Sequence, residues 1–177
     1  MSETNESVRV DKATRMARQE KERIDWRGKD FLQLVYADLY ENNASGTNIS
    51  ITTAGTFYQW VSTTVGEHSG VNYLVASATS DDITVGVSGV GIYLITVHTC
   101  FGGSNNAVIE GRVYKNGATT HIMFHRKLAG SDIGSASACG LVALVSGDVI
   151  DLRFTSDTNT TTLVLHHVGL VLTRVSA

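Results

Sequence analysis

From Gly46 to the C-terminus the chain is cut into short segments of alternating apolar and polar residues, each closed by glycine, serine, asparagine or aspartate. They include VNYLVASAT, GIYLITVHTCF, AVIEGRVYKNG, ATTHIMFHRKLAG, GLVALVSG, DVIDLRF and TTTLVLHHVGLVLTRV. About nine such runs follow at roughly ten-residue spacing, with no helical period between them. Such a chain buries its apolar residues by stacking two antiparallel sheets, so an all-β sandwich or jelly roll is expected. The 17 glycines supply tight turns, and the absence of proline excludes polyproline linkers and ligand segments.

Two strands are apolar on both faces. In the run from Gly91, the residues Tyr93, Ile95, Val97 and Phe101 share one face, while Ile92, Leu94, Thr96, His98 and Cys100 share the other. In the last run, Leu163, Leu165 and Val171 are expected on one face and Val164, Val168, Leu170 and Leu172 on the other. A sheet with one side in water alternates more cleanly than this. With no helix to cover the second side, a further copy of the chain is the expected cover. Ile92, Leu94, His98, Leu170 and Leu172 are the candidate contact residues.

The first 30 residues are different in texture. They hold eight of the 14 basic and seven of the 17 acidic side chains. Residues 1–45 therefore read as an arm or anchor, partly helical, and residues 46–177 as the globular head. Good helix formers run from Asp11 to Arg23. In DFLQLVYADLYENN, Asp30 can cap a short amphipathic helix with Phe31, Leu32, Val35, Tyr36 and Leu39 on one stripe. Leu32, Leu34 and Tyr36 also alternate, as in a strand. The segment is too apolar to stand alone in water. Trp26, Phe31, Leu34, Tyr36 and Tyr40 are the candidate anchoring residues, because aromatic side chains dominate contact hot spots.

Four landmarks in order carry a family resemblance: GIYLITV (Gly91 to Val97), VYKNG (Val113 to Gly117), LVSGDVIDLRF (Leu144 to Phe154) and GLVLTRV (Gly169 to Val175). From about Ile49 onward they resemble the jelly rolls of tumour necrosis factor and of complement component one, subcomponent q, together with bacteriophage relatives. His166, His167 and Val168 stand where that family often has an aromatic. The resemblance implies a homotrimer packed about a threefold axis. It also makes calcium a candidate cofactor, with turn oxygens of Asp81, Asp82 and Asp148 as ligands.

Other chemistry is sparse. There is no Gly-X-Ser-X-Gly elbow, no Cys-X-X-Cys, no phosphate loop and no His-Glu-X-X-His, so no enzyme is expected. Gly147-Asp148 reads as a hairpin corner, and Asp151 as a strand residue that pairs with a neighbour such as Arg153. His121 and His125 share a strand face and are a candidate metal pair. Cys100 and Cys139 read as thiols, with a disulfide left open.

A net charge of −3 offers nothing to nucleic acid or an anionic membrane, and no apolar run suits membrane insertion. No signal peptide is legible in the first 30 residues, so synthesis in a host cytoplasm is expected. The expected role is a structural virion protein on a particle surface. A bacteriophage capsid decoration or head fibre, bound through the arm to the major capsid or another virion protein, comes first. The alternative is a tail-fibre-tip adhesin that recognises a host surface glycan or protein.

Overall fold

The computed structural model describes residues 35–61, 65–69, 73–103, 106–130 and 132–176, with only the backbone for 65–69. The chain divides into two units, Met1–Leu34 and Val35–Ala177. The first unit lies outside the described residues, as do the expected helix over Asp11–Arg23 and the side chains of Trp26, Phe31 and Leu34.

The second unit is all strand, in two antiparallel sheets, and no helix occurs among the described residues. The strands are β1 (Tyr36–Ile51), β2 (Tyr58–Gln59), β3 (Val65–Ser69), β4 (Leu74–Ser77), β5 (Asp82–Val85), β6 (Gly91–Gly103), β7 (Val108–Lys115), β8 (Ala118–Lys127), β9 (Gly134–Leu144), β10 (Val149–Ser156) and β11 (Thr161–Ser176). One sheet runs β3-β1-β11-β6-β9, and the other runs β4-β5-β10-β7-β8 with β2 also paired to β10.

Inward residues of the two sheets meet in one core. Tyr93, Ile95, Val97 and Phe101 come from β6, and Ile150, Leu152 and Phe154 from β10. Phe101, Phe124 and Phe154 form a triangle with ring centroids 6.2 to 6.3 Å apart, distances at which tilted rings attract. Phe124 lies over Gly111, directly opposite it on the neighbouring strand, where a Cβ would collide with the ring.

The expected helix over Asp30–Asn43 is corrected by β1, which is already a strand at Tyr36. Ala37, Leu39 and Glu41 point inward while Tyr36 and Tyr40 point out, and the strand pairs with β11 from Tyr36↔Thr173 onward. Pairing with a strand near the far end of the chain overrides the local helical stripe. The head therefore begins near Val35, and residues 35–45 belong to it rather than to the arm.

Two turns hold each other. Asn116 and Gly117 both have positive φ (52° and 75°), the two-residue hairpin geometry that Asn-Gly favours between β7 and β8. Gly147 (φ 88°) takes the left-handed position in the turn from β9 to β10, where the Asp148 amide donates to the Val145 carbonyl at 3.1 Å. Asp148, buried, accepts from the Val145 amide at 2.7 Å, from Asn116 Nδ2 at 2.7 Å and from Lys115 Nζ at 2.8 Å.

Candidate assembly face

The outer side of the five-stranded sheet exposes a set of large apolar side chains. Cross-strand registers lay it out in rows. Tyr36, Thr173, Leu94 and Leu141 form one row, followed by Asp38, Val171, Thr96 and Cys139, then Tyr40, Gly169, His98 and Ser137, then Asn42, His167, Cys100 and Ser135. Tyr36, Tyr40, Ile92, Leu94, Leu141 and Val175 keep 37 to 55% of their surface exposed. Asp38 is the one carboxylate among these described outward residues, and none is lysine or arginine.

Within the face, Tyr40, Asn42, His98, Cys100, Ser135, Ser137 and His167 border a shallow depression of about 590 Å³. His98 lies over Gly169, and a Cβ at that glycine would collide with the imidazole. Glu41 turns the other way. Its carboxylate is buried under the sheet, accepting from Trp60 Nε1 at 2.9 Å and from the Thr47 hydroxyl.

The structure sorts the expected contact residues. Ile92, Leu94 and His98 lie on the outer face as expected. Leu170 and Leu172 do not; both are fully buried in the core. The cause is a β-bulge, in which Leu165 pairs with Phe101 and His167 with Cys100, leaving His166 as the extra residue. The ring of His166 donates from Nδ1 to the Ala44 carbonyl at 3.2 Å, against a matching excursion of β1 at residues 43–46. One extra residue inverts the alternation. Leu163, Leu165, Val168, Leu170 and Leu172 therefore all point inward, and Val164, His167 and Val171 point away from the core.

Of the expected anchors, Tyr36 and Tyr40 fall on this same face, part of the head rather than of an arm. Residues to which the sequence reading gave no place in a contact include Leu141 and Cys139 on the edge strand β9 and Gly169, and it did not single out Glu41. Gly169 had a signal, since an isolated glycine within a strand marks a close approach.

Asp151 of the opposite sheet is already engaged. Asp151 binds Arg153 in a two-point pair, Nε to Oδ1 at 2.6 Å and Nη2 to Oδ2 at 2.8 Å, and this raises the pKa of Arg153. The Arg153 guanidinium also lies over the Tyr114 ring, 4.4 Å from its centroid. Asp82 pairs with Asp151 at one end of β5, whereas Asp148 contacts Val85 at the other end. The expected calcium ligands Asp81, Asp82 and Asp148 thus do not converge. Among the described residues no group of three or more His, Cys, Asp or Glu side chains is placed to hold a metal ion.

His121 and His125 are four residues apart on β8, but the strand's register against β7 shifts between Thr119 and Met123, and the two rings meet different partners. His125 Nε2 instead meets Glu110 Oε2 at 3.1 Å, and the His121 ring packs near Gly140 of β9. Cys100 and Cys139 are free thiols. Their partners across the β6–β9 ladder are Ser135 and Thr96, so they stand about 13 Å apart and no disulfide can join them without moving the sheet.

No protein-family model and no curated protein sequence matches the chain. Solved structures do. The Eiger tumour necrosis factor of S. frugiperda superposes with a TM-score of 0.58 at 14% identity, covering 80% of this chain and 93% of that one. Murine APRIL at pH 5.0 gives 0.56 at 16% identity, covering 79% and 99%. The globular domain of the zebrafish complement 1qA protein gives 0.53 at 14% identity, covering 77% and 94%. The head of this chain therefore has the jelly-roll fold shared by tumour necrosis factor-like and complement-type domains.

Proposed function

We propose that the chain acts by assembly and binding rather than by catalysis. Three heads pack through the outer faces of their β3-β1-β11-β6-β9 sheets, and the arm attaches the trimer to a larger particle. The observation that carries this reading is the exposed sheet face itself, with its tyrosines, its aliphatic side chains and Asp38 as the one carboxylate among its described side chains. Apolar surface of this extent on a head that is already fully packed inside marks a contact. The threefold arrangement follows from the family resemblance.

Within that frame the chain serves as a structural virion protein, a capsid decoration or head fibre of a bacteriophage. Support for a particle comes from the division of the chain, with a charge-dense segment that includes Trp26 and Phe31 preceding a compact head. Trimerisation then multiplies one weak contact per arm into strong avidity.

A second reading, an adhesin, draws on the outer face of the other sheet, which stays open in such a trimer. There Arg112 lies over the Phe57 ring at 5.7 Å from the centroid, and Glu110 is paired with His125. Aromatic, cationic and acidic groups on one open surface suit a host glycan or protein.

Light scattering of the full chain at neutral pH tests the assembly. Three times the chain mass is expected, and a monomer at micromolar concentration defeats the reading. Attachment is tested by adding chain without residues 1–34 to particles that lack the protein. Retained binding removes the role of the arm, whereas binding to host cells by that head favours the adhesin.

A further inference from the structure

Among the described side chains of the assembly face Asp38 is the one carboxylate and none is lysine or arginine, yet two of them are histidines. His98 and His167 both border the depression on this face, with Tyr40, Cys100, Ser135 and Ser137 around them. His98 of β6 lies over Gly169 of β11, the middle strand, so it lies within the contact rather than at its rim. Resting on the trimer reading above, we propose that this face is an acid-sensitive contact, closed while His98 and His167 are neutral and opened when they take up protons.

The groups that face these rings leave the charge unanswered. Tyr40 and Asn42 of β1, Ser135 and Ser137 of β9, and Cys100 of β6 border them, and none is a carboxylate. Cys139 stands one row further along β9. Asp38 stands in the neighbouring row of β1, one carboxylate for two imidazolium ions. Glu41 is turned into the core and bound to Trp60 and Thr47. In a single head both rings are exposed and water supports their charge. When another copy covers them, that water is lost and the protonated form is penalised, while the neutral form is not.

The sign follows from linkage. Association that disfavours the protonated ring is complete above the ordinary titration range of histidine, near pH 6.5, and is lost progressively as pH falls below it. Each imidazole whose protonation is opposed by one pH unit weakens association about tenfold once the pH is below that range.

The full chain is followed by light scattering from pH 7.5 to pH 5.0 at constant ionic strength, with circular dichroism recorded on the same samples. The expected result is a trimer at pH 7.5 whose half-dissociation concentration rises at least about tenfold by pH 5.0 while the strand signal is retained. The double variant His98→Gln/His167→Gln is expected to stay trimeric across the range. Should it not fold, His167→Gln alone is expected to show an intermediate shift.

Equal trimer stability at both pH values overturns the proposal, as does an unchanged acid response in the double variant. Loss of the strand signal in step with dissociation in both proteins also overturns it. A monomer at pH 7.5 overturns the trimer reading itself and the proposal with it.

Discussion

The imidazole of His98 occupies the space that any side chain at Gly169 would need, across the ladder between β6 and β11. Gly169→Ala would push the ring off the sheet rather than break the backbone, because a side chain can swing away. Folding stability is expected to fall by only about 1 kcal/mol. Association is expected to weaken by more, since the displaced ring stands proud of the contact. Adding His98→Ala to Gly169→Ala should recover association. Thermal unfolding and light scattering on the single and double variants check both statements.

Leu141 of β9 is exposed, whereas Leu172 of β11, turned inward beyond the bulge at His166, is buried. Leu141→Lys puts a charge on the exposed face and should leave the head folded but monomeric. Leu172→Lys puts a charge where the native side chain is fully buried, and no folded protein is expected. Circular dichroism with light scattering separates the outcomes. A monomeric Leu172→Lys head with native dichroism would contradict the inward orientation of β11.

Asp148 ties the β9–β10 turn to the β7–β8 hairpin. Burial pushes its carboxyl pKa up, but hydrogen bonds from Lys115, the Val145 amide and Asn116, with the Lys115 charge, outweigh this and lower it. A lowered carboxylate pKa stabilises the fold above the unfolded-state value near 4 and ceases to do so as pH falls through the folded value. Asp148→Ala is expected to cost about 3 kcal/mol at pH 7, because Lys115 and Asn116 lose their shared partner. It should also flatten the acid limb of the stability curve below about pH 4, measurable by urea unfolding at a series of pH values.

Glu41 is a carboxylate under the sheet whose described partners are Trp60 and Thr47. Glu41→Ala leaves two buried donors without an acceptor, at a cost of about 2 kcal/mol. Glu41→Gln keeps one acceptor and should lose less. The fluorescence of Trp60 during urea unfolding reports both, with midpoints ordered wild type, Gln, Ala. The reverse order would show that the acid is there for something other than these bonds.

The sheets were readable where turn chemistry and alternation agree. Asn116-Gly117 and Gly147-Asp148 mark their turns by residue type alone, and β6 shows its two faces without ambiguity. Three features were not readable, for separate reasons. Val35, Tyr36 and Leu39 fit a helical stripe as well as a strand, and only the distant partner β11 decides between them. His166 carries no local mark of a bulge, so simple alternation put Leu170 and Leu172 outside. The Asp148–Lys115 pair joins two separate hairpins, and spacing along the chain contains no trace of it.

The bulge has one more consequence, for how sequences of this shape are compared. It acts as a frameshift in the code that assigns side chains to inside or outside. A relative that lacks the extra residue at position 166 can present the same buried set with every later residue displaced by one. Aligning the last strand without a gap would then set core positions against surface positions. At the identities found here, a single such slip could hide the kinship of two chains that share the same sandwich.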